Sequence, residues 1–122
     1  MYFPVSGWFA AFVLTLAVEA PIVVFLLRRV EPNLLRLGVL IVAANLATHP
    51  VVWFVIPQLL VVGTPGFTLV AETWAIAVEA VFYAAAIRGL SARRTIAVAA
   101  VANATSWLAG RVIGGLWPDL FR

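Results

Sequence analysis

The stretch FTLVAETWAIAVEAVFYAAAI, residues 67–87, decides the fold. At ~1.5 Å of rise per residue it is long enough to cross a hydrocarbon core of ~30 Å as a helix, and no basic residue appears until Arg88. It also carries a carboxylate, Glu79, in the middle of the apolar run. The four residues around that acid, Ala77-Val78-Glu79-Ala80, repeat sixty positions earlier as Ala17-Val18-Glu19-Ala20, and each copy is followed by an arginine, Arg88 or Arg28. A buried acid is written twice.

Working outward, three more apolar stretches of spanning length appear: residues 5–27, 34–62 and 95–117. With 65% hydrophobic and 11% charged residues, the chain lies far from the roughly 45–50% apolar and ~25% charged of soluble domains, so a bilayer is its solvent. Such segments are helices, because an open strand edge in lipid leaves backbone groups unpaired. Residues 5–28 read as a retained span: no positive segment precedes them, and Pro21 follows the small-residue site at Ala20. In the first connection Pro32 disfavours helix at Glu31, and Asn33 is a natural N-cap. The second, Gly63-Thr64-Pro65-Gly66, is an uncharged turn, and the third is residues 89–94.

All eight basic residues are arginine. Arg28, Arg29 and Arg36 cluster at the first connection, and Arg88, Arg93 and Arg94 at the third, whereas the second has none. This is the distribution of topology-setting charge, not of a nucleic-acid face. The expected class is an all-α membrane protein with both termini outside, in a bacterial or archaeal cytoplasmic membrane. Tyr2, Phe3, Trp8 and Trp117 then belong to the outer aromatic belt. Having no cysteine, the chain has neither disulfides nor thiolate chemistry.

The repeat extends past the acids. At an offset of fifty-eight, Ala44-Asn45 falls on Ala102-Asn103 and Thr48 on Ser106. One transmembrane domain, 1–122, is thus expected to be two tandem helical hairpins, 5–62 and 67–117, related by a pseudo-two-fold axis along the membrane normal.

Measured from span midpoints, Glu79 and His49 lie near the midplane, with Glu19, Asn45 and Asn103 about 5 Å to the arginine side. A carboxylate at this depth costs about 2.5–3.5 kcal/mol on insertion scales, so these acids are expected to face inward. Glu19, Asn45, His49, Glu79 and Asn103 form the candidate ion- or substrate-binding layer, with Thr48, Glu72, Ser106 and Arg111 as secondary members. Glu72 and Arg111, at similar depths toward the other end, are expected to pair. Pro50 and Pro21 are expected to release the carbonyls of Leu46 and Ala17. The donor set admits a divalent metal at Glu19, His49 and Glu79, but one histidine and no Glu-x-x-His make no diagnostic motif. Gly110-x-x-x-Gly114, with Ala97, Ala100 and Ala104, is a small-residue face suited to tight helix contact within the chain or in a homo-oligomer.

The leading functional expectation is a transporter or channel-like protein handling protons or cations. A membrane-embedded enzyme on a lipid or other apolar substrate, using His49 or Glu79 as acid or base, is the alternative. A non-catalytic assembly subunit, its polar layer setting helix register, is the third.

Overall fold

A computed structural model describes residues 4–122, so Tyr2 and Phe3 of the expected aromatic belt lie outside the described residues. Four helices make up the architecture: α1 (Val5–Leu27), α2 (Leu34–Pro50), α3 (Pro65–Ala86) and α4 (Ala92–Leu116). No strand occurs among the described residues. Counting the irregular continuation of α2 to Gln58, the four are 23, 25, 22 and 25 residues long, and each is long and apolar enough to cross a membrane. Their outward faces carry large apolar side chains such as Phe25, Leu35, Leu69 and Val81. Such a surface suits lipid and would aggregate in water, as expected of an integral membrane protein.

Helix starts follow local chemistry. The side chains of Asn33, Thr64 and Ser91 accept hydrogen bonds from the backbone N–H groups of Arg36, Phe67 and Arg94, satisfying donors that the first turns of α2, α3 and α4 leave free. Pro65 occupies the first turn of α3, where its missing N–H costs nothing. Gly63 and Gly89 turn the chain at φ +85° and +83°, in the left-handed region that side chains with a Cβ avoid.

Several boundaries differ from expectation. The second span is helical only to Gln58, not to residue 62, and it changes character after Pro50. Val51–Val55 form a π-helical turn and Ile56–Gln58 a 3-10 turn. Pro50 and Pro57 each lack an N–H for the regular ladder, so helical bonding here is re-paired with a wider and then a tighter turn. α1, by contrast, runs through Pro21 as one continuous helix, with Pro21 on its exposed side. α4 begins at Ala92 instead of residue 95, because the Ser91 cap starts it early and takes Arg93 and Arg94 into its first turn.

Each helix packs on its neighbours in the chain, and α1 closes the ring against α4. Along the bundle axis the interior changes in kind. Toward the arginine-bearing connections it is a close-packed apolar core of Val23, Leu27, Leu37, Ile41, Tyr83 and Ile87. Above this core lies a layer of buried polar side chains, and beyond that layer, toward the Gly63 turn, the bundle encloses a cavity. On α4 the buried face is Thr95, Val98, Ala99, Ala102, Asn103 and Ser106. The expected tight contact through Ala97, Ala104 and Gly110 is not made inside the bundle: both alanines are exposed, and a Cβ at Gly110 would meet nothing within 4 Å. Gly114 does serve close approach, to the Phe121 ring, 3.3 Å from where its Cβ would stand.

Candidate functional site

The polar layer is a crossed arrangement of two carboxylates. Glu19 on α1 accepts from the Asn45 amide on α2 at 3.0 Å and from the Ser106 hydroxyl on α4 at 2.7 Å. Glu79 on α3 accepts from the Asn103 amide on α4 at 2.7 Å and from the Thr48 hydroxyl on α2 at 3.4 Å. Each acid therefore takes an amide from the next helix in its own hairpin and a hydroxyl from the opposite hairpin. The second proton of each amide goes to a carbonyl one turn back, Ile41 for Asn45 and Ala99 for Asn103. Glu19 and Glu79 are 0% and 1% exposed, so these donors replace the water that a buried acid would otherwise lack.

The hydroxyls have a property the amides lack. Each has one proton and two acceptors in reach, the carboxyl across the interface and the carbonyl three residues back: Asn45 for Thr48 at 3.3 Å, Asn103 for Ser106 at 3.1 Å. Facing a carboxylate, the hydroxyl donates to it. Facing a carboxylic acid, it accepts the acid proton and turns its own to the carbonyl. Either protonation state is accommodated without moving a helix.

The two acids differ in access. A cavity of about 410 Å³ reaches down from the Gly63-turn end to Glu79, Asn45, Thr48, Asn103 and Ser106, while Glu19 is not on its wall. Higher up, the wall is formed by His49 and Trp53 on one side, by Trp107 and Arg111 on another, and by Glu72 and Phe67 from α3. The wider π turn follows directly on His49-Pro50 and carries Trp53, whose ring stacks on His49 at 6.3 Å. Phe12 meets the imidazole edge-on at 5.6 Å. His49 Nε2 lies 3.2 Å from the Thr15 hydroxyl, and Nδ1 is buried without a partner among the described residues. Asn45 Oδ1 is likewise buried and unpartnered.

The structure thus brings Glu19, Asn45, Thr48, Glu79, Asn103 and Ser106 into one network, with His49 and Glu72 on the cavity that ends there. Arg111 departs from expectation. Its exposed guanidinium lies 5.9 Å from the centre of the Trp107 ring and forms no ion pair with Glu72. Among the described residues the ion pairs are Glu31–Arg36 and Asp119–Arg122. Arg111 lines the cavity as Glu72 does, but its long side chain carries the charged head to solvent and the Trp107 face. No three His, Cys, Asp or Glu side chains among the described residues gather as a metal site. Glu19 and Glu79 are each engaged with amide and hydroxyl donors, and His49 with Thr15.

No family model matches the chain, and no characterised protein or solved structure is similar to it.

Residues outside the sequence reading also serve the site. Thr15 stands four residues before Glu19 and shares its face of α1, a spacing that could have drawn attention to it. Tyr83, one turn from Glu79, is fully buried with its hydroxyl unpartnered in the apolar half. Arg36 and Arg94, read as topology charges, also stitch the hairpins together. Arg36 donates to the Ala86 carbonyl at the end of α3 (2.6 Å), and Arg94 to the Leu26 carbonyl near the end of α1 (3.0 Å). Both occupy carbonyls that the helix C-terminal turns leave free.

Proposed function

We propose that this protein is a small membrane transporter that binds a cation at the floor of its cavity and exchanges it against protons on Glu79. One observation carries the reading. Glu79 is buried within the spanning region, forms the cavity floor, and is held by a hydroxyl that serves both its charged and neutral forms. A carboxyl whose only task was to join helices would have no need of the cavity, and a cavity for an uncharged ligand would have no need of an acid this costly to bury.

The crossed contacts support two duplicated hairpins about a pseudo-two-fold axis. Offsets of sixty on α1 and α3 and of fifty-eight on α2 and α4 relate Glu19 to Glu79, Asn45 to Asn103, Thr48 to Ser106, Arg36 to Arg94, Leu26 to Ala86 and Asn33 to Ser91. Each hydrogen bond among them has its mirror. Parallel repeats that rock against one another are a recurrent basis for alternating access. Arginines at the first and third connections favour those turns in the cytoplasm, so the cavity opens outward in the state described. The exposed small residues of α4 are the surface on which a homo-oligomer would form.

The test is flux. In liposomes Glu79→Gln abolishes cation-driven proton movement while helical content is retained; unchanged flux sinks the reading. A scaffold reading draws on Glu19, which is as buried as Glu79 yet off the cavity wall. We assign that acid the structural share: Glu19→Gln changes thermal stability more than flux.

A further inference from the structure

We propose that the cation this cavity takes is a primary ammonium carrying a compact apolar group, in preference to a bare metal ion or a quaternary ammonium. The inference rests on the reading of Glu79 as the cation site, and it is drawn from what surrounds that acid.

Size comes first. A dehydrated metal ion needs a closed shell of oxygen atoms a few ångströms across, whereas about 410 Å³ lies in the range, roughly 300–1,000 Å³, of pockets that hold small organic ligands. The wall decides the rest. Trp53, Phe67 and Trp107 line the space above the acid and present aromatic surface to it. Aromatic faces suit both a cationic head and an apolar body; they supply no oxygen to a metal. At the floor the unmet need is for donors. Glu79 is acceptor-only when charged, and Asn45 Oδ1 is buried with no partner although Asn45 lies on the wall. A primary ammonium brings three N–H donors to one point, enough for the Glu79 carboxylate and for a second acceptor of the floor such as Asn45 Oδ1. A quaternary ammonium brings none and would leave these acceptors without a donor, which is how sites built on hydrogen bonds reject isosteres. Glu72, half-buried on the same wall, adds a second carboxyl on the way in, and among the described residues exposed Arg111 is the one basic side chain on that wall.

Trp53 and Trp107 make the site report on itself. The full-length protein in detergent micelles is titrated with phenethylammonium while tryptophan fluorescence is followed. 2-Phenylethanol serves as the neutral analogue of equal apolar bulk, trimethylated phenethylammonium as the donorless cation, and potassium chloride as the bare ion. A saturable response to phenethylammonium, at least tenfold weaker for both analogues and not displaced by equimolar potassium, is the expected result. Glu79→Gln, checked for helical content by circular dichroism, weakens it at least tenfold. Equal affinity for the trimethylated probe, or for the alcohol, overturns the assignment without reference to any variant. Absence of a phenethylammonium response in protein that still shows Glu79-dependent flux of potassium or sodium also overturns it and leaves the transporter reading standing. Saturable binding with no flux upholds the ligand class and removes transport instead.

Discussion

Ser106 donates to Glu19 at 2.7 Å across the seam where α4 closes on α1, joining residues 87 positions apart in the chain. Its counterpart at the opposite seam, Thr48 to Glu79, spans 3.4 Å. Both contacts join a hydroxyl to a glutamate, and they are unequal in geometry. The tight one holds the acid away from the cavity, and the loose one holds the acid at its floor.

That inequality sets an order of stabilities. Ser106→Ala removes a short bond to an acid that lies off the cavity wall, at about 1–2 kcal/mol. Thr48→Val removes a longer bond from an acid that faces a cavity, at about 0.5 kcal/mol or less. Reversible unfolding of the two variants in mixed micelles measures the difference, and a larger loss for Thr48→Val contradicts the division of roles between the two acids.

The arginine stitches are unequal as well. Arg36 holds the Ala86 carbonyl and also pairs with Glu31, which is only 8% exposed, whereas Arg94 holds the Leu26 carbonyl alone. Arg36→Ala therefore strands a largely buried acid and is expected to cost about 1–2 kcal/mol, against about 0.5–1 kcal/mol for Arg94→Ala. Thermal melts at low and high salt separate them. The Arg36 variant loses more, and part of its loss disappears at high salt as screening weakens the native pair. Equal losses at both salt concentrations would argue that Glu31 draws nothing from the pair.

Gly7 packs against the C-terminal segment that lines the cavity. A Cβ there would stand 2.5 Å from the backbone oxygen of Phe121, and backbone cannot yield as a side-chain tip can. Phe121 lines the cavity, so Gly7→Ala is expected to lift the segment carrying it and open that wall. Because the chain contains no cysteine, a single Thr68→Cys substitution on the cavity wall gives a clean reporter. Its labelling by a water-soluble maleimide is expected to accelerate severalfold in the Gly7→Ala background, and likewise with Phe121→Ala. Unchanged labelling in both would mean that the segment does not limit entry.

Much of the site was legible because burying a carboxylate in lipid is so unfavourable that Glu19 and Glu79 had to turn inward, and helical spacing then carried Asn45, Thr48, Asn103 and Ser106 to the same depth. The Glu72–Arg111 pair failed for the same kind of reason in reverse. Depth estimates place residues along a helix axis and do not say where a long side chain ends: Arg111 and Glu72 both line the cavity, yet the guanidinium lies by the Trp107 ring. Arg36 and Arg94 looked like topology charges because their second role depends on which helix ends they meet. The π turn after Pro50 was not legible either, since a proline announces a broken ladder without choosing how the bonds are re-paired.

Composition and span length dictate four membrane helices, and the doubled acid dictates an inward-facing polar layer, because the bilayer leaves no cheaper arrangement for either. Which donor meets which acid was decided by the closing of α1 on α4, since a hydroxyl bond of 2.7 Å depends on helix rotation that no pattern of apolar residues specifies. The tertiary structure packs one half of the bundle and leaves the other hollow, so two acids in the same local sequence stand one sealed between helices and one at the floor of a cavity.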